Sequence, residues 1–159
     1  MRLRRAAALA AVPFGIALLV GCTKPVPSVS AFSGATSANV DALCWSFDAS
    51  QSVDAASCLG QKQGQSVTDL AADLQSKVGV IPVEPDQTIG ISVDPQLAND
   101  GWFPVIGDTR LTVEPVTSTY YRFQLAAADL RKGSLELRVL ALGDSPDVVR
   151  GLWAFELRP

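Results

Sequence analysis

The chain has 159 residues, of which 48% are hydrophobic and 18% charged, and it contains no histidine. That length fits one domain, and the composition is too apolar for a disordered segment. The formal net charge of -3 excludes a strongly basic nucleic-acid binder. The missing histidine removes the commonest general base and the commonest metal ligand.

Residues 1–21 read as a lipoprotein signal peptide. Arg2, Arg4 and Arg5 form a positive start, and Ala6 to Val20 is apolar and uncharged. Fifteen residues are too few for a spanning helix, which needs about twenty, and suit the apolar core of a signal peptide. The stretch ends in Leu19-Val20-Gly21-Cys22, which resembles the bacterial lipobox, where the cysteine is acylated and becomes the new N-terminus. Cleavage removes three arginines and no acid. Ten basic and sixteen acidic residues remain, a formal charge of -6. An acidic body is not drawn to anionic lipid, so acyl chains on Cys22 supply the membrane attachment. The expected location is the extracytoplasmic face of the cell membrane.

Residues 22–28 read as the lipidated N-terminus and a tether kept extended by Pro25 and Pro27. Residues 29–159 read as one β-sandwich domain. Val29 to Phe32 is a first candidate strand. Val40 to Phe47 alternates, with Leu43, Trp45 and Phe47 expected on the core face and Cys44 on the other. Ser66 to Lys77 has apolar residues at helical spacing, Val67, Leu70, Ala71 and Leu74, behind a Ser66 cap. Val78 to Val83 is a short apolar run. Thr88 to Val93 places Ile89, Ile91 and Val93 on one face. Trp102 to Ile106 is expected at a sheet edge because Pro104 lacks a ladder donor. Arg110 to Val113 is expected to turn Leu111 and Val113 inward. Thr119 to Leu125 turns Tyr121, Phe123 and Leu125 inward, and Ala126 to Arg131 reads as one helical turn closed by Gly133. Leu135 to Leu142 and Gly151 to Leu157 complete the set. Turn signals every eight to twelve residues predict an all-β, immunoglobulin-like sandwich of about seven strands with one short helical insertion.

With Cys22 lipidated, Cys44 and Cys58 remain. Export to an oxidising compartment predicts a disulfide between them, and the spacing lacks the C-x-x-C pattern of a redox pair. The strand phase places this bridge on the outside of a sheet. It is therefore not the inter-sheet bridge of antibody domains.

No Ser-His-Asp, Cys-His or Gly-x-Ser-x-Gly arrangement is present, and no phosphate-cradling glycine loop. Asp94 to Gly101 lacks the alternating acids of a calcium loop and reads as a turn-rich connection. Trp102 follows that connection directly. It is a candidate ligand-gripping aromatic or a plug for the end of the sandwich. No cofactor, metal or nucleic acid is expected.

The lipobox at Cys22, the Cys44-Trp45 and Cys58 pair, Ile89-Gly90-Ile91-Ser92-Val93-Asp94-Pro95 and Gly101-Trp102 form a pattern. Tyr121-Arg122-Phe123 and the terminal Gly151-Leu152-Trp153-Ala154-Phe155 extend it. The pattern resembles small uncharacterised lipoproteins of actinobacteria, a family whose domain has no assigned function. The resemblance implies location and fold and carries no chemistry. The expectation is a non-catalytic binding or accessory module for an envelope protein, glycan or lipid. The alternatives are a carboxylate-dependent envelope hydrolase and a purely structural envelope protein.

Overall fold

Period-two alternation decides which side chains meet in the core. The computed structural model describes residues 24–53, 75–130 and 133–159. Among them are ten strands: β1 (Ser28–Ser33), β2 (Thr36–Asp41), β3 (Cys44–Trp45), β4 (Gly79–Pro82), β5 (Thr88–Val93), β6 (Trp102–Ile106), β7 (Thr109–Arg110), β8 (Tyr120–Gln124), β9 (Leu135–Leu142) and β10 (Val149–Arg158). Two short helices accompany them, α1 (Pro95–Asp100) and α2 (Ala127–Leu130). One sheet has the order β2-β1-β5-β8. The other has the order β3-β10-β9-β6-β7, with β4 pairing parallel to β10.

The inner faces are those the alternation predicts. Val29, Ala31, Ile89, Ile91 and Val93 from the first sheet meet Leu137, Val139, Trp153, Phe155 and Leu157 from the second, all buried in one cluster. The arrangement is an immunoglobulin-like sandwich. β1, β5 and β8 take the places of strands A, B and E, and β6, β9 and β10 those of C, F and G. These six are joined by the flanking strands β2, β3, β4 and β7, which bring the count to ten against the expected seven.

Four expectations need correction. Val40 to Phe47 is not one strand. The chain leaves β2 at Asp41 and re-enters as β3 on the other sheet, opposite β10. Trp45 pairs with Gly151 and so shares the inward face with Trp153, while Cys44 pairs with Leu152 on the outer face. That outer position is nonetheless covered, since Cys44 is 8% exposed. Phe47 lies past the strand end and is 62% exposed rather than in the core. Val113 is likewise 91% exposed, because the strand ends at Arg110.

The third correction concerns Pro104. β6 lies inside its sheet, between β9 and β7. The proline is tolerated because its carbonyl, which accepts from Leu111 N at 2.9 Å, points away from β9. Its nitrogen points the same way, so no bond to β9 is lost. Finally, the turn-rich connection at 94–101 contains α1. Asp94 caps it by accepting from Gln96 N at 3.0 Å, Pro95 occupies the first turn, and Gly101 ends it at φ +88°. Leu97 and Ala98 of α1 are buried and close one end of the sandwich.

The expected helix at 66–77 falls mostly outside the described residues, and its last residues, 75–77, are helical. The turn at 126–131 is α2, where Gly133 N donates to Leu130 O. β1 begins at Ser28, the end of the expected tether.

Candidate functional site

The sandwich is unequal at one side, and the inequality makes a cleft. In immunoglobulin domains a strand D flanks strand E. Here β8 ends its sheet. The connection that follows β7 stays with the other sheet instead. Trp102 N donates to Val116 O at 3.1 Å and Val116 N to Trp102 O at 2.8 Å. Among the described residues the edge of β8 away from β5 has no partner strand, and the gap between the sheets opens beside it.

The opening has a volume of about 400 Å³, within the usual range of small-ligand pockets. Ile106 of β6, Thr109 of β7, Leu111 and Leu135 of β9 line one side. Phe123, Gln124 and Leu125 line the other, and Asp129 of α2 sits at the rim. The alternation of β8 turns Phe123 and Leu125 toward the gap. The tight β6–β7 turn is held by Gly107 at φ +54°, a conformation open to glycine. The Arg138 guanidinium donates to the Gly107 carbonyl and fixes this rim. The site is thus an apolar slot with a hydroxyl, an amide and a carboxylate at its mouth.

Asp129 is the one carboxylate among the described lining residues. Among the described residues, the two carboxylates whose ionisation the surroundings shift lie elsewhere, and both are held down. Asp48 accepts from the Ser50 hydroxyl and backbone N–H, and Glu156 accepts from Ser134 and Arg158. Neither is a general acid of raised pKa. Among the described residues no cluster of three metal-ligating side chains occurs, and no helix is long and apolar enough to cross a membrane.

Trp102 does not grip a ligand at the surface. It is 0% exposed, its Nε1 donates to the Ser118 carbonyl at 2.9 Å, and its ring meets Tyr121 edge-on at 6.3 Å. It fills the place where immunoglobulin domains bury a tryptophan on strand C. Cys44 lies on the outer face of the second sheet, distant in the fold from the cleft. Cys22 and Cys58 lie outside the described residues. Sequence reasoning missed the cleft because its lining comes from five separate elements. The signals present were the inward phase of Phe123 and Leu125 and the Gly107-Asp108 turn.

No family model matches the chain, and neither a curated protein nor a solved structure is similar to it.

Proposed function

We propose that the protein is an envelope lipoprotein, anchored through acylated Cys22 at the extracytoplasmic face of the cell membrane, acting as a non-catalytic binding module. The observation that carries the binding role is the apolar cleft beside the outer edge of β8, which has no partner strand among the described residues. The anchor rests on the charged start, the apolar run and the lipobox of residues 1–22. The acidic mature chain gives no electrostatic alternative for membrane attachment. A Cys44–Cys58 disulfide belongs to the same reading, supported by export and by the shielded position of Cys44. It closes a loop of a size that stabilises by about 3 kcal/mol in the chain-entropy model.

The test is a photoactivatable benzophenone side chain placed at exposed Thr109, at the cleft mouth, and at exposed Ser37 on β2 as a control. Illumination of intact cells is expected to give a discrete adduct from position 109 and none from 37. No adduct at 109, or the same adducts at both positions, contradicts the binding role.

A further inference from the structure

We propose that the binding partner is an extended peptide segment of another envelope protein, which adds to β8 as a strand and inserts one apolar side chain into the cleft. This rests on the binding-module reading and specifies the occupant.

The backbone of β8 identifies a strand as the guest. Val93 N donates to Thr119 O, Leu125 N to Gln87 O and Asp86 N to Leu125 O. The odd-numbered residues therefore turn their backbone groups toward β5, and Tyr120, Arg122 and Gln124 turn theirs outward. The Ser118 hydroxyl takes the Tyr120 carbonyl at 2.7 Å. Among the described residues the N–H and C=O of Arg122 and Gln124 are left as a row with strand spacing on a sheet edge. Main-chain bonds to such a row supply affinity in strand addition, and pockets for alternate side chains supply selectivity.

The side-chain phase agrees with the cleft. Cross-strand partners share a face, so a guest residue opposite Phe123 points between the sheets, into the space bounded by Ile106, Leu111 and Leu135. Guest residues opposite Arg122 and Gln124 point to solvent. Exposed Arg122 favours an acidic partner there. The guest is thus a short extended segment, polar on one face, with a bulky apolar residue on the other. The position it takes is that of the missing strand D.

The experiment selects a random nine-residue displayed peptide library on the full-length protein in detergent micelles. Gln124→Pro removes an outward N–H at an edge position where proline is tolerated, and Gln124→Ala keeps it. Arg122→Pro serves if Gln124→Pro does not fold. Selected peptides are expected to carry alternating apolar residues. They should bind Gln124→Pro at least tenfold more weakly than Gln124→Ala, a comparison that separates loss of the N–H from loss of the side chain. Peptides that bind the proline variant equally well, or no enrichment above it, overturn strand addition. A lipid or glycan adduct at position 109 that persists in Gln124→Pro also overturns it while leaving the binding module standing. Loss of every adduct at 109 from the unmodified background removes the module itself.

Discussion

The indole Nε1 of Trp153 donates to the carbonyl oxygen of Pro27 across 3.1 Å of buried space. Trp153 is in the long strand β10, and Pro27 is the residue before β1. The bond therefore fastens the segment before β1 to the centre of the second sheet. Trp153→Phe removes the donor, strands the carbonyl and leaves a small void. It is expected to cost about 2–4 kcal/mol in urea unfolding. A cost under about 0.5 kcal/mol, within the effect of an ordinary surface change, would show that the bond does not hold the segment before β1.

Gly90 in the middle of β5 has no conformational need for glycine, and its role is spatial. A Cβ there would lie 2.3 Å from the Phe32 ring, which packs nearly parallel to Tyr120 at 5.9 Å. Gly90→Ala must push Phe32 off the sheet, a destabilisation of about 1 kcal/mol. In a Phe32→Ala background the same change should become neutral or stabilise by roughly 0.5–1 kcal/mol. Thermal unfolding of the four proteins in this cycle checks it, and additive effects would refute the spatial role.

Arg150 is buried, with Nη1 2.9 Å from Asp100 and its guanidinium 4.2 Å from the Trp45 ring centre. The pair ties the end of α1 to β10. Asp100→Ala leaves a buried cation without its carboxylate and should cost about 2–3 kcal/mol, discounted for the partial exposure of Asp100. Adding Arg150→Met should recover much of that loss, because an apolar side chain of similar length suits the site. Denaturant midpoints of the single and double variants measure the recovery. A further loss in the double variant would contradict the account.

Fold and site differ in how much of each could be read in advance. Ile89, Ile91 and Val93, or Trp153, Phe155 and Leu157, declare their face through local alternation alone. Phe47 and Val113 look like members of such rows, yet strand ends put them in solvent, and an end is set by pairing with a distant partner. Pro104 signals a missing donor but not which neighbour would have used it. The cleft lies beside an edge of β8 that has no partner among the described residues, and an edge leaves no pattern in the residues that flank it. The depth of Trp102 is set by Val116 and Ser118, which lie far along the chain and leave no mark in the residues beside it.

Asp48 offers a pH test. Its carboxylate accepts from Ser50 N at 3.0 Å and Ser50 Oγ at 2.7 Å, which holds its pKa below the ordinary 3.8. A lowered folded-state pKa stabilises the fold above the unfolded value, and that contribution is lost as pH falls through the folded one. NMR titration should place Asp48 below the ordinary carboxylate range, and Ser50→Ala should move it back up. An unchanged titration in Ser50→Ala would assign the shift to another cause.

The central claim joins anchor and cleft, and one comparison tests both. Full-length wild type and Cys22→Ala, each with the benzophenone side chain at position 109, are expressed in the native host. After illumination, membrane and soluble fractions are compared. Wild type should remain with membranes in high salt, leave them in detergent, and give the position-109 adduct. Cys22→Ala should lose lipid-dependent membrane retention and give that adduct at reduced yield. If moderate salt alone strips wild type from membranes, or if Cys22→Ala is retained and cross-linked as wild type is, the lipid-anchored binding module is contradicted.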